Sequence, residues 1–229
     1  MDFILNPNLV LYLPLWKLDG SSFMSKDACG HLCTVTGALW RPDGRYFDGT
    51  DDDITIGSES FWDTIFDGFH PLSVLFWYKG DQVSDLATVF TKGTAAGAFT
   101  GLYQGAWNGA ASATDFQFHV RATGATDEIQ ANIQNVYEKD VWQCWCITLD
   151  GTGKIAGMTV DINGVSKVIT TKYDTLTTAM NNNDNLKIGG GVIAAWWLSG
   201  LLSEFLVYTR ALSPIERQNY FLATKWRYR

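Results

Sequence analysis

The chain contains few charged residues, and few glutamates that could form the acidic pairs that hydrolases use. Only 18% of its 229 residues are charged, with five glutamates, three histidines and a formal net charge of −7. An acidic chain has no long-range attraction for phosphate backbones or anionic lipids. The composition therefore argues against nucleic acid as a partner.

Cysteine is also scarce, with four in the chain. Cys144 and Cys146 lie two residues apart in a predicted strand and so share one face, where a disulfide between them would have poor geometry. The run Cys29-x-His31-x-Cys33 allows a zinc site, but buried free thiols are the more frequent reading of such a pattern. The redox state of all four remains open.

No segment is typical of a signal peptide or a membrane span. The stretch Met1–Leu18 carries Asp2 and two prolines but no early basic residue. The apolar stretch Gly189–Tyr208 has one charge, Glu204, and several glycines, which favours a buried hairpin turning at Ser199-Gly200. We expect a soluble protein without membrane insertion.

What the chain has in abundance is aromatic residues: ten Trp, nine Tyr and thirteen Phe. Such residues favour pleated, half-buried strands. Alternating or apolar runs separated by Gly, Asn and Asp predict strands at 9–16, 54–57, 72–78, 116–120, 129–133, 142–149, 158–162, 165–170, 186–188, 196–198 and 201–208. Asn163-Gly164 predicts a hairpin turn. Short strands at this spacing indicate a two-sheet antiparallel sandwich.

One helix is predicted, beginning at Ser213-Pro214. Ser213 is a good N-cap, Pro214 suits the first helical position, and Glu216 completes a capping box. We expect this helix to fray near Lys225. No repeat, linker or change of composition divides the chain, so we predict a single domain over residues 1–229.

Six segments resemble, in order, the laminin-G-like branch of the concanavalin A-like lectin/glucanase superfamily. They are "LVLYLPLW", "GRYFDGTDDDITI", "PLSVLFWYKG", "VWQCWCITLDG", "VDINGV" and "GLLSEFLVYTRALSPIERQNYF". The resemblance implies an all-β, two-sheet antiparallel jelly-roll sandwich (concanavalin A-like) with one short C-terminal helix. Cys144 and Cys146 depart from the small or aliphatic residues that the family has there. The superfamily includes sugar binders, adhesion modules, glycosidases and virion proteins, so the resemblance does not specify function.

The sequence argues against an enzyme. Glycosidases need two suitably spaced carboxylates, and retaining members of the superfamily carry them in the pattern Glu-x-Asp-x-x-Glu. The nearest approach here is Glu138-Lys139-Asp140-Val141-Trp142-Gln143, in which Gln143 cannot protonate a leaving group. No serine-nucleophile elbow or phosphate loop occurs either.

The run Asp51-Asp52-Asp53 raises the possibility of structural calcium. Alternation places Asp51 and Asp53 on one face, and Asp27, Asp48 and Glu204 could join them if the family fold brings the first and last strands together. The alternative is that residues 48–51 form a turn in which Asp48 binds backbone amides. We favour the turn.

For a ligand, exposed aromatic side chains are the best candidates. Trp107 lies in a Gly/Ala-rich loop, and Tyr103 and Trp197 are the other candidates, although core packing is the commoner role of a Trp. We predict a non-catalytic module that recognises carbohydrate or a cell-surface glycan. The alternative is a virion structural or capsid decoration protein, docking through its basic aromatic tail on another structural protein and assembling as a homo-oligomer or capsid at the virion surface.

Overall fold

The computed structural model describes residues 6–57, 59–82, 86–94, 97–105, 112–124, 126–191 and 196–228. The strands, in chain order from β1 to β17, are Leu9–Pro14, Ser22–Met24, Leu32–Thr36, Leu39–Arg41, Gly44–Asp48, Asp53–Ile56, Leu72–Gly80, Leu86–Gly93, Phe99–Gly105, Phe116–Arg121, Glu128–Ile133, Gln143–Leu149, Met158–Ile162, Val165–Ser166, Ile169–Asp174, Leu186–Ile188 and Ser199–Tyr208. The helices are α1, Glu59–Ile65, and α2, Pro214–Thr224.

The described strands form two antiparallel sheets. The eight-stranded sheet has the order β14-β13-β12-β7-β17-β5-β4, and β1 also pairs with β17. The nine-stranded sheet has the order β15-β11-β10-β9-β8-β16-β6-β3-β2. Leu9 of β1 lies opposite Tyr208 of β17, so the first and last strands are neighbours as the family resemblance implied. The predicted two-sheet antiparallel sandwich is confirmed.

Aromatic rings fill the space between the sheets. Phe76 stacks between Trp145 and Phe205 with centroid distances of 5.9 and 6.0 Å. Phe90 and Phe116 reach this group from the nine-stranded sheet, at 5.6 Å from Phe205 and 4.5 Å from Trp145. Aromatic contacts of this kind add stability beyond the area that they bury.

The predicted helix is α2, and the structure confirms its start. Ser213 is the N-cap, and its backbone N–H donates to Glu216 Oε2 at 2.9 Å within a complete capping box. A 3-10 turn over Lys225–Arg227 follows the helix. Tyr220 packs with Trp77 and Cys144 on the outer face of the eight-stranded sheet. The helix is therefore anchored by its apolar side.

Four sequence predictions were wrong in detail. The strand expected over 196–198 does not form, and β17 begins at Ser199. The run 165–170 is not one strand, because the chain leaves the eight-stranded sheet after β14 and joins the nine-stranded sheet at β15. Gly200 lies within β17 rather than in a hairpin turn, and its φ is +122°. A Cβ there would stand 2.3 Å from the carbonyl oxygen of Lys79, so glycine permits the close approach of β7. The short helix α1 was not predicted.

None of the described helices combines the length and apolar character that crossing a membrane requires.

Candidate functional site

Polar side chains lie side by side on the outer surface of the nine-stranded sheet. In β10 and β11 the residues that alternate with them, such as Phe118 and Ala131, point into the core. The register aligns Tyr103, Gln117 and Asn132 across β9, β10 and β11. We call the following six residues the polar face: Tyr103, Gln117, His119, Glu128, Gln130 and Asn132. All six are buried.

A directional chain of hydrogen bonds connects five members of the polar face. Gln130 Nε2 donates to Gln117 Oε1 at 2.5 Å and to the Tyr103 hydroxyl at 2.9 Å. His119 Nε2 lies 2.6 Å from Glu128 Oε2, so a neutral imidazole that is protonated on Nε2 donates to this oxygen. In that tautomer His119 Nδ1 is an acceptor, and the Tyr103 hydroxyl, 3.2 Å away, can donate to it.

Burial determines the protonation of these hydrogen-bonded side chains. It lowers the pKa of His119 below its usual value, although the Glu128 carboxylate acts in the opposite direction. Burial also raises the pKa of the Tyr103 hydroxyl well above its usual range. The lowered pKa of His119 and the raised pKa of Tyr103 both favour the uncharged side chain at neutral pH.

Three amide atoms of the polar face have no hydrogen-bond partner among the residues that the structure describes. They are Gln117 Nε2, Gln130 Oε1 and Asn132 Oδ1, one donor and two acceptors. A buried polar atom without a partner costs about 1–3 kcal/mol, so a cluster of three requires an explanation. A ligand with hydroxyl groups would satisfy both kinds of atom, because a hydroxyl donates and accepts.

Aromatic rings border the polar face. Trp196 lies 5.6 Å from Tyr103, and Phe99 makes an edge contact with His119 at 4.7 Å. Tyr173 of β15 lies opposite Gln130 and is partly exposed. The surface thus combines amide groups with apolar rings, which is the composition expected of a small-molecule site.

Of the three aromatic residues predicted to bind a ligand, the structure describes Tyr103 and Trp197. Tyr103 is 0% exposed, so its ring offers no open surface for stacking, and a ligand-binding role for its hydroxyl stays a prediction. Trp197 is half-buried, while its neighbour Trp196 is buried against Tyr103. Trp107 lies outside the described residues. Trp107 and Trp197 therefore stay predictions.

The five acidic residues considered for calcium do not converge, and that prediction is corrected. Asp53 pairs with Lys187 at 3.1 Å. Glu204 lies on β17 opposite Pro14, five residues beyond the partner of Asp48 and so roughly 16 Å further along the strand. Asp27 accepts backbone hydrogen bonds instead, from the N–H groups of Tyr12, Cys29 and Gly30.

Asp48 and Asp51 do come together, with Asp52 as the third member. Asp48 Oδ1 accepts the N–H of Thr50 at 2.8 Å, which confirms the predicted turn. Asp52 Oδ2 accepts the N–H of Asp48 at 2.9 Å, and burial raises the pKa of Asp52. Calcium at this trio stays a prediction. A melting midpoint that is identical in calcium and in chelator would refute it.

The cysteine–histidine run does not form the cluster that zinc would need. The ligand atoms that meet belong to Asp27, Cys29 and His31, while Cys33 is buried and donates to the His31 carbonyl at 3.6 Å. Burial raises the pKa of Cys33 to about 12, which disfavours the thiolate that binds metal. Cys144 and Cys146 share one buried face, as predicted, under α2.

The near-match to a glycosidase motif does not lie along a single strand. Glu138 and Asp140 precede β12, and Asp140 adopts a φ of +61° in a turn. Gln143 is buried and donates to the Val136 carbonyl at 2.7 Å. The strand alternation that would aim three acids into one cleft is therefore missing from this segment.

Sequence reasoning overlooked most of the polar face. The strings "FQFHV" and "EIQANI" show the alternation, but alternation alone predicts that the polar side chains meet water. Their burial and hydrogen bonding depend on neighbouring strands, and only the spacing of the polar positions signalled the face.

Comparisons with known proteins identify the family and the fold. The sequence profile of the concanavalin A-like lectin/glucanases superfamily matches residues 44–216, and the chain belongs to this superfamily. No curated protein sequence matches it significantly.

Several solved structures share the fold at low sequence identity. Trypanosoma rangeli sialidase in complex with sialic acid superposes with a TM-score of 0.68 and 14% identity, over 98% of this chain and 34% of the sialidase. This chain thus spans about a third of that enzyme's length. Domain 4 of an extracellular arabinanase from Geobacillus stearothermophilus, in complex with arabinotriose, gives 0.64 and 20%, over 93% of this chain and 97% of the domain.

The receptor binding domain of a botulinum neurotoxin C/D mosaic serotype gives a TM-score of 0.68 at 11% identity. The match covers 95% of this chain and 51% of that domain. The neighbours therefore include carbohydrate-bound and receptor-binding domains as well as parts of enzymes.

Proposed function

We propose that the protein is a non-catalytic carbohydrate-recognition module and that the polar face binds the sugar. The observation that carries the proposal is the cluster of three buried amide atoms that have no partner among the described residues, Gln117 Nε2, Gln130 Oε1 and Asn132 Oδ1. Sugar hydroxyls would satisfy these donors and acceptors together. The arabinanase domain that was solved with arabinotriose supports this ligand class by fold alone.

The charge of the polar face supports binding rather than hydrolysis. Glu128 is its one carboxylate, and it already accepts the proton of His119. Glycosidases of the usual kind need a second carboxylate about 5–9.5 Å away to act as nucleophile or base. The amides and the phenol of the face cannot take that role. No observation on the described residues favours the virion alternative, which stays a prediction.

The test compares wild type with Asn132→Leu on a glycan array. Leucine has a similar size but lacks the amide, so we expect the array signal to fall at least tenfold while the protein remains folded. The control is Gln143→Leu, which removes a buried amide from β12, far from the face in the other sheet, and should leave the signal per folded molecule unchanged. Equal binding by wild type and Asn132→Leu would overturn the assignment to the polar face.

A further inference from the structure

A second cleft lies on the opposite side of the sandwich, above the eight-stranded sheet. It has a volume of about 370 Å³, and its lining includes Trp16, Pro42, Asp43, Ser203, Trp226 and Arg227. We call it the C-terminal cleft, because the 3-10 turn after α2 forms one wall. The end of β1 and the β4–β5 turn supply the others.

The floor of the C-terminal cleft is rigid. Glu204 is 2% exposed and accepts hydrogen bonds from Trp16 Nε1 at 3.1 Å, from the Tyr220 hydroxyl at 3.0 Å and from Arg227 Nη1. Charge-assisted bonds of this kind are stronger than neutral ones. The Arg227 guanidinium also lies over the rings of Trp16 and Trp226, at 4.8 and 5.2 Å. Arg227 is therefore fixed in place before any ligand arrives.

Trp226 is held by its edge while much of its surface remains open. Its Nε1–H donates to the Ala223 carbonyl at 2.9 Å, yet the residue is 61% exposed. A rigid exposed indole is a platform on which an apolar ring surface can stack without loss of side-chain freedom. Trp226 is thus the kind of exposed aromatic side chain that the sequence analysis proposed at Trp107 and Trp197.

The polar groups of the C-terminal cleft complement hydroxyls. The Arg227 side chain is partly exposed and carries five N–H donors, of which one goes to Glu204 and others to the hydroxyls of Tyr12 and Tyr228. Asp43 is exposed and offers carboxylate acceptors. Because Glu204 already neutralises Arg227 and Asp43 adds a negative charge, the cleft disfavours an anionic ligand.

We propose that the C-terminal cleft is a second carbohydrate site that takes one residue of a neutral sugar. Trp226 stacks on the C–H face of the ring, Arg227 donates to its hydroxyls and Asp43 accepts from them. The site lies on the other sheet from the polar face and does not depend on it. Two sites on opposite surfaces allow one molecule to engage two sugar chains, which raises avidity.

The test measures Trp226→Ala and Asp43→Ala on an array of neutral and sialylated oligosaccharides. Loss of the stacking ring should weaken binding to neutral glycans roughly three- to tenfold. Matched controls are Leu222→Ala, an exposed apolar residue on α2, and Glu138→Ala, an exposed acid outside the cleft. Both controls should bind like wild type.

A second readout places the sugar directly. In protein labelled with ¹⁵N-tryptophan, the indole signal that Trp226→Phe removes should shift when the best neutral glycan is added, also in an Asn132→Leu background. An unmoved signal, equal binding by Trp226→Ala and wild type, or binding of sialylated glycans alone would overturn the C-terminal cleft proposal. Loss of binding in Asn132→Leu but not in Trp226→Ala would leave the polar face as the single site.

Discussion

Asn132→Leu should stabilise the fold while it removes a binding group. The Asn132 side chain is 5% exposed, and its Oδ1 has no partner among the described residues. Leaving a buried acceptor unpaired costs about 1–3 kcal/mol, and leucine removes that acceptor while it keeps the branching and the number of side-chain heavy atoms. The backbone pairing of Asn132 with Gln117 and Thr170 does not involve the side chain, so the ladder should persist.

The magnitude converts into a measurable shift in melting temperature. For a chain of this length, 1 kcal/mol corresponds to about 2–4 °C, so Asn132→Leu should melt roughly 2–12 °C above wild type. Urea unfolding should give a higher midpoint with an unchanged slope. Gln143→Leu is the matched control, because that amide has a partner in the Val136 carbonyl and its loss should lower the midpoint. If Asn132→Leu melts as low as Gln143→Leu, the amide is structural and the argument for the polar face is refuted.

Three further predictions concern the rest of the fold. Burial lowers the pKa of His119 below 6.5, so the contribution of His119 to stability is present above that pH and is lost as the pH falls through the folded-state pKa. Wild type should therefore lose more stability than His119→Gln between pH 7 and 5. Unfolding midpoints that fall in parallel in the two proteins would contradict this. Lys92 is buried and forms an ion pair with Asp63 at 2.7 Å, so Lys92→Met should lower the free energy of unfolding in urea by about 3–5 kcal/mol. The double variant Lys92→Met/Asp63→Leu should recover part of this loss. If the losses of the two single variants add up in the double variant, the pairing is refuted. Gly37 has a φ of +71°, and a Cβ there would stand 1.8 Å from Asp52 Oδ1. Gly37→Ala should therefore lower the free energy of unfolding by at least about 1–2 kcal/mol. An unchanged melting midpoint would show that the loop adapts to the added methyl group.

The two proposed sites differ in how the structure sustains them. The polar face keeps buried atoms that have no partner in the described part of the chain, which should destabilise the fold and favour the proposed ligand binding at the same place. The C-terminal cleft exposes a large indole, and its other polar groups are well bonded. Stabilising substitutions should therefore be found at the polar face, whereas substitutions of Trp226 should leave stability nearly unchanged.

Strand and helix prediction succeeded where local signals were strong. The apolar run "LSVLFWY" became β7, and Met158–Ile162 followed by Asn163-Gly164 became β13 and its turn. The capping box at Ser213 and Glu216 located α2, because capping satisfies backbone groups within four residues. Each of these signals is local, so no tertiary information was needed.

Prediction failed where pairing partners decide the conformation. β8 and β9 contain lysine, threonine and glycine that weaken the strand pattern, yet their pairing over Leu86–Gly93 and Phe99–Gly105 is extensive. Strand preference depends on neighbours and burial more than on the residue itself. The loss of the expected strand over 165–170 has the same origin, since its two halves join different sheets.

The sequence by itself determined the class of fold, since periodicity and turn residues act over a few positions and the ordered family segments fix their succession. Only the tertiary structure decided which polar side chains are buried and which meet. Glu204 illustrates this, because its role depends on Trp16 and Arg227, which lie 188 and 23 residues away along the chain. Contacts between distant segments follow from strand order and register, and no local pattern encodes them.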